Sequence, residues 1–167
     1  MQAFSMSKFP NLKKPSHIVA TLGGVGNAKY APGTWGSLVA LLCFIFISHQ
    51  NLNIEFLVVG ITIFAVYISE IVSVDLIEKD HKAIVIDELA GMWIAAYPAI
   101  HYSSQDERIV FVVLAFILFR IFDITKPFPI SYIDRNIKGG LGIVLDDVVA
   151  GLIAALLAIG LMNLIFG

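Results

Sequence analysis

The chain is poor in charge and nearly devoid of cysteine. Of its 167 residues, 14% are Asp, Glu, Lys or Arg, against roughly 25% in a typical soluble domain. That shortage leaves too little polar surface for a water-facing domain of this size, and a mean hydropathy of +0.86 agrees. A membrane-embedded chain is therefore expected; a soluble helical bundle that buries its apolar excess in an oligomer is the alternative. The single cysteine, Cys43, excludes an intrachain disulfide, and its apolar surroundings predict a core position rather than a nucleophile. A net charge of −2 gives no reason to expect nucleic acid as a partner. Near the N-terminus, Lys8, Lys13 and Lys14 precede Pro15 without a compact apolar run, so no secretory signal is read. There is no Gly-x-x-x-x-Gly-Lys-[Ser/Thr] loop, no Gly-x-Ser-x-Gly elbow and no Cys–His pair, which argues against P-loop nucleotide binding and acyl chemistry. His17, His49, His81 and His101 show no metal-pair spacing. His81, in Lys79-Asp80-His81-Lys82, reads as a solvated loop residue, with a proton shuttle as the alternative.

What the chain does have is apolar length. Five segments stand out, at about 36–49, 54–74, 89–100, 109–122 and 148–166. The second and fifth approach the roughly 20 residues that span a bilayer; the others span only if their polar ends extend them, or else are buried core or re-entrant helices. The expected fold is all-α: a polytopic membrane bundle of about five helices, some short, with polar loops on one face. The expected domain is single, 1–167, with residues 1–15 as a flexible arm. If every segment crosses, nine of the eleven Lys and Arg residues fall on the side that holds the N-terminal arm. They are Lys8, Lys13, Lys14, Lys29, Lys79, Lys82, Lys126, Arg135 and Lys138. Arg120 lies at the same end of its segment, and only Arg108 falls on the other side. Positive residues concentrate in cytoplasmic loops, so the crowded side reads as cytoplasm.

The polar clusters land on that same side. Residues 86–93 read Ile-Asp-Glu-Leu-Ala-Gly-Met-Trp and residues 145–151 read Leu-Asp-Asp-Val-Val-Ala-Gly. Both contain Asp-x-x-Ala-Gly, and both place acidic pairs where apolar helices should begin. Residues four apart share a helix face, so Asp87 stacks under Gly91 and Asp147 under Gly151. Small residues there let two helices approach closely with their carboxylates facing. Carboxylates that close repel unless a divalent cation lies between them. Asp87, Glu88, Asp146 and Asp147 are thus candidate ligands for Mg²⁺, which takes oxygen donors; complementing the helix dipole is the simpler role.

Arg120-x-x-Asp123-x-x-Lys126-Pro127 supplies the opposite charge. Arg120 and Asp123 share a helix face, and Pro127 should end the helix at Lys126. A guanidinium fork and an ammonium suit phosphate oxygens; an intrahelical ion pair with a C-terminal lysine is the simpler reading. Asp123 either ligates metal or orients Arg120. In the glycine-rich stretch 23–37, Thr34 and Ser37 either cap a helix starting near 36 or bind phosphate. The stretch Lys138-Gly-Gly-Leu-Gly142 reads as a turn before the second acidic pair, and Asp134–Arg135 as either part of the site or a surface pair. Together these groups suit a phosphate ester, and their place at a membrane edge suits a lipid with an anionic head group. The nucleophile is either water or a carboxylate.

Three long motifs then resemble the phosphatidylglycerophosphatase A family: Ala31-Pro-Gly-Thr-Trp-Gly-Ser-Leu38, Asp87-Glu-Leu-Ala-Gly-Met-Trp93 and Phe119-Arg-Ile-Phe-Asp-Ile-Thr-Lys-Pro-Phe-Pro129. Asp134, Gly139-Gly-Leu-Gly142 and Asp146-Asp-Val-Val-Ala-Gly151 follow in order, so the resemblance runs from about 16 to 160. It implies a Mg²⁺-dependent, multi-pass enzyme of the bacterial inner membrane with its site facing the cytoplasm. Such an enzyme hydrolyses phosphatidylglycerophosphate to phosphatidylglycerol and inorganic phosphate during phospholipid synthesis. Carried over, Asp87, Glu88, Asp146 and Asp147 hold metal; Asp87, Asp147 and Asp123 are catalytic; Arg120, Lys126, Thr34 and Ser37 bind substrate. Two rivals remain at this stage. A head-group alcohol phosphotransferase also uses Mg²⁺ and acidic residues, but its Asp-Gly-x-x-Ala-Arg pattern is absent. A transporter would need polar groups near mid-membrane, where these segments are apolar.

Overall fold

A computed structural model describes residues 9–50, 52–74, 76 and 81–167, and among these every regular element is helical. Seven α-helices are present: α1 (Pro15–Ala20), α2 (Pro32–Ser48), α3 (Ile54–Val74), α4 (Ile86–Ala96), α5 (Gln105–Thr125), α6 (Ile130–Asn136) and α7 (Gly139–Phe166). Short 3₁₀ turns lie at Val25–Asn27 and Tyr97–His101. The all-α expectation holds, and the five apolar segments become α2, α3, α4 with its 3₁₀ extension, α5 and α7. Helices α1 and α6 are additions. Lys8 and Lys79, used in the topology argument, lie outside the described residues, as does most of the expected 1–15 arm. Within that arm, Phe9 sets its ring against His17 and His81.

Several helix ends differ from the sequence expectation. α2 begins at Pro32, four residues before 36, because a proline at the first helical position has its φ already set. Neither Thr34 nor Ser37 caps it; the N-cap is Ala31, at a left-handed φ of 47°. α5 begins at Gln105, with Asp106 and Glu107 in its first turn, where they complement the dipole. It stops at Lys126, just before Pro127, as the sequence predicts. α7 begins at Gly139 rather than 148. The glycines here serve close packing: a Cβ on Gly140 would strike the backbone of Val66 and Glu70 in α3. Glu70 accepts a hydrogen bond from the Gly140 N–H, satisfying one of the orphan donors of the helix start. The Asp146–Asp147 pair therefore sits about two turns inside α7 rather than at its tip.

α4 is the hub, packed on α7, α2, α3 and α5, with nearly all its side chains buried. It crosses α7 where Gly91 meets Gly151. A Cβ on Gly91 would lie 2.6 Å from both the Asp147 carbonyl oxygen and a Phe119 ring carbon, and one on Gly151 would collide with the Gly91 carbonyl. Trp93 ties the hub to α2 by donating its Nε1–H to the Ala40 carbonyl at 2.9 Å. Because backbone meets backbone at the crossing, Gly151→Ala is expected to destabilise the protein by about 1–3 kcal/mol. A thermal melt in detergent checks this; an unchanged midpoint would mean that the helices separate freely.

Among the described residues, two helices are long and apolar enough to cross a membrane: Ile54–Ser73 within α3, and α7. Only 28% and 33% of their apolar windows are buried inside the protein, so neither is a core helix. Phe56, Val59, Ile63 and Tyr67 of α3 and Leu152, Leu156 and Leu157 of α7 face outward, giving the broad apolar surface that lipid matches and water does not. α2 has 17 residues and α4 has 11, so five spans by length alone are not found. Cys43 is exposed on α2 rather than buried in the core. Where outward surfaces are themselves apolar, an apolar neighbourhood no longer implies an inward position.

Candidate active site

The starts of α2 and α4, the end of α5, Lys126 and the second turn of α7 enclose one cleft of about 660 Å³. Its walls include Thr34, Asp87, Glu88, Arg120, Asp123, Lys126, Asp146 and Asp147. Seven of these carry charge, and all were brought forward by the sequence. Ser37 is the exception among the expected residues: it is fully buried and is not part of the cleft wall. Its hydroxyl donates to the Gly33 carbonyl at 2.8 Å and accepts from Arg120 Nη1 at 3.1 Å.

The acidic wall is the product of the α4–α7 crossing. Because Gly91 and Gly151 allow backbone contact, the carboxylates one turn earlier on each helix are forced together. Asp87, Glu88 and Asp147 each offer an oxygen, all within 4.8 Å of one another. Asp87 is 8% exposed, Glu88 9% and Asp147 3%, so water cannot screen them. The Asp87 carboxylate accepts the Glu88 backbone N–H at 3.1 Å. Glu88 Oε2 is buried with no hydrogen-bond partner. Buried, mutually repelling oxygens with an orphaned acceptor are costly unless a cation joins them, and a donor set of carboxylates alone fits a hard divalent cation. Asp146 stands apart: one oxygen is held by Lys126 at 2.7 Å, and Oδ1 is buried without a partner.

The basic wall is equally fixed. Arg120 Nη1 meets Asp123 Oδ2 at 2.5 Å as well as Ser37, which leaves Nη2 for other acceptors. Gly33 lies against both walls: a Cβ there would collide with Glu88 Oε1 and approach Arg120 Nη2 at 3.3 Å. A side chain at that point of Pro-Gly-Thr would displace the Glu88 carboxylate from its place beside the guanidinium. Lys126 adopts a left-handed φ of 42°, which turns it off α5 and back over the cleft. It donates to Asp134 at 2.5 Å and Asp146 at 2.7 Å. Burial alone would lower its pKa; the hydrogen bonds and charges of Asp134 and Asp146 outweigh burial and hold it well above the ordinary lysine value. The two carboxylates thus favour its cationic form.

Two contributors were missed in the sequence. Lys82 lines the cleft, and its only signal was its place in the basic loop before Asp87. Gly33 looked like turn material. Asp134, for which a surface pair was one of two open readings, anchors Lys126. His81 does not reach the cleft; its Nδ1 accepts the Ala83 N–H at 3.2 Å and its ring packs on Phe9, which fits a structural loop residue.

Ser37 reaches the cleft indirectly, through its hydrogen bonds with Arg120 and Gly33. Ser37→Ala is expected to lower kcat/KM by about two- to fivefold, the scale of one neutral hydrogen bond. Steady-state kinetics would show it, and a loss as large as that from changing Arg120 would contradict this indirect role.

Clustered carboxylate oxygens that could hold a metal ion, faced by a held guanidinium and ammonium at one end of an apolar helical bundle, suit chemistry on a phosphate ester. Comparison with known proteins agrees and narrows it. The family model for phosphatidylglycerophosphatase A matches residues 18–162. Phosphatidylglycerophosphatase A of Escherichia coli K12 is 38% identical over 146 residues, covering 86% of this chain and 81% of that protein. The Haemophilus influenzae protein of the same name is 36% identical over 150 residues, covering 87% and 88%. A Bacteroides thetaiotaomicron protein with the provisional name phosphatidylinositol-3-phosphatase is 32% identical over 155 residues, covering 87% and 94%. No solved structure matches the chain. The chain belongs to the phosphatidylglycerophosphatase A family, and it is a phosphatase.

Proposed function

We propose that the chain removes the terminal phosphomonoester of phosphatidylglycerophosphate, giving phosphatidylglycerol and inorganic phosphate, with Mg²⁺ as cofactor. The observation that carries this is the cluster of Asp87, Glu88 and Asp147 oxygens within 4.8 Å of one another, across a single cleft from Arg120. The named relatives support the substrate class: both names describe a phosphomonoester on a lipid head group that also contains a phosphodiester.

In this reading Asp87, Glu88 and Asp147 would hold the ion, and Asp146, whose Oδ1 is buried without a partner in the wall of the same cleft, is the further candidate ligand. Held there, a divalent ion would supply positive charge to the phosphate and lower the pKa of a nearby water. Arg120 clamps two phosphoryl oxygens, Lys126 and Thr34 bind the same group, and Ser37 and Asp123 fix the guanidinium. Asp123 holds Arg120 with one carboxylate oxygen and also lies within hydrogen-bond reach of Asp147, so it links the basic wall to the acidic one and we assign it the positioning of both. Water attacks phosphorus, and the lipid alkoxide leaves as charge builds on the oxygens that Arg120 and Lys126 face.

The chain would work as one membrane-embedded domain, multi-pass in the bacterial inner membrane, with the cleft open to the cytoplasm. The charge-poor helices, the outward apolar side chains and the lysine-rich cleft end support that orientation. Phosphate release from a panel of lipid phosphates, with and without Mg²⁺, tests the proposal. Release from phosphatidylglycerophosphate that EDTA abolishes and Mg²⁺ restores is expected. Transfer of the lipid to glycerol phosphate without phosphate release would replace hydrolysis by head-group exchange.

A further inference from the structure

Beside the catalytic cleft lies a second one, of about 250 Å³, walled by Arg135, Lys138, Ile137 and the start of α7. Ile143 and Asp146 line both clefts, so a single wall separates them. Among the described residues, Arg135 and Lys138 make no ion pair and no side-chain hydrogen bond, whereas Arg120 and Lys126 are both committed. Two carboxylates, Asp134 and Asp146, also line this cleft; both are held by Lys126, and neither pairs with Arg135 or Lys138. The Gly140 N–H at the start of α7 is taken by Glu70, so the anion-attracting groups here are the two side chains. Ile137 and Ile143 add an apolar floor that suits carbon rather than water.

We propose that this second cleft binds the phosphodiester that joins the substrate's head group to its diacylglycerol, making Arg135 and Lys138 specificity-determining residues. The inference rests on the lipid phosphomonoesterase reading above. A substrate with its monoester against Arg120 has its diester one glycerol unit away, and the shared wall of Ile143 and Asp146 is what that unit would cross. Two unpaired cations would then favour lipids that carry both phosphates over lipids that carry the monoester alone.

The test uses the full chain in neutral detergent micelles, comparing wild type with the R135Q/K138Q double variant. Both positions are exposed, so folding should be unaffected. Phosphatidylglycerophosphate has both phosphates, phosphatidic acid only the monoester, phosphatidylglycerol only the diester, and inorganic phosphate is the free ion. The variant is expected to raise KM for phosphatidylglycerophosphate about tenfold, the scale of lost charge-assisted contacts, with kcat within about twofold. Inhibition by phosphatidylglycerol should weaken by the same factor, while phosphatidic acid hydrolysis and inhibition by inorganic phosphate stay unchanged. R135K/K138R should restore most of the effect, and the effect should shrink as salt rises. An equal KM rise for both lipid substrates would reveal mere attraction to the micelle surface and overturn the proposal, as would no change at all. If wild type releases no phosphate from either lipid, the phosphatase reading fails. Direct phosphatidylglycerol binding would then still decide the subsite, and equal affinity of wild type and variant would reject it.

Discussion

Asp147→Asn is expected to lower turnover by about a hundred- to a thousandfold while the protein still inserts and folds. Asp147 is 3% exposed and offers an oxygen within 4.8 Å of oxygens from Asp87 and Glu88. Asparagine keeps the shape but removes the charge that a cation needs, and it relieves repulsion among the carboxylates when no cation is present. Function and fold should therefore part company: activity falls while the melting temperature holds or rises. Phosphate-release kinetics and a thermal melt on the same preparation read both. Near wild-type turnover would remove Asp147 from the site, and a collapsed melt would make its role structural.

The second large effect is expected at Arg120. Arg120→Lys keeps a positive charge but cannot reach Asp123, Ser37 and a phosphoryl group at once. Loss of the fork should lower kcat/KM by about a hundredfold, most of it in kcat if the guanidinium works chiefly on the transition state. Asp123→Asn should fall between this variant and Ser37→Ala, because it loosens the guanidinium without removing it. Steady-state kinetics on the three variants gives the order; an Asp123→Asn loss exceeding that of Arg120→Lys would mean that Asp123 touches substrate or metal directly.

Much of this site could be read from residue order, and the reason is geometric. Asp-x-x-Ala-Gly places a carboxylate and a helix-crossing glycine one turn apart, so finding it twice predicts two helices that cross at glycine and share their acids. Gly91 and Gly151 meet in that way. α3 was legible at 54–74 because its apolar run is long and is broken by only two charges, Glu55 and Glu70, each near an end. The start of α7 was not, because Gly139-Gly140-Leu141-Gly142 carries a turn signature while its glycines answer to the nearby backbone of α3 and Ile137. Helix α6 is seven residues long and follows two prolines, too short for periodicity to declare itself. Ser37 looked like a cap or a phosphate ligand, since sequence cannot tell a hydroxyl that faces a cleft from one that stands behind an arginine. Lys82 was hidden and Asp134 left open for a related reason: partners many residues away decide whether a loop charge is solvated or committed.

The most direct measurement is equilibrium Mn²⁺ binding, followed by electron paramagnetic resonance, to the detergent-solubilised protein after chelation. Mn²⁺ shares the oxygen preference of Mg²⁺ and reports its own coordination. Wild type should take up the ion at a saturable site, and both Asp147→Asn and Glu88→Gln should lose it with their fold intact. Equal binding by wild type and both variants, or full phosphatase activity in EDTA, would contradict an ion held by the α4–α7 crossing.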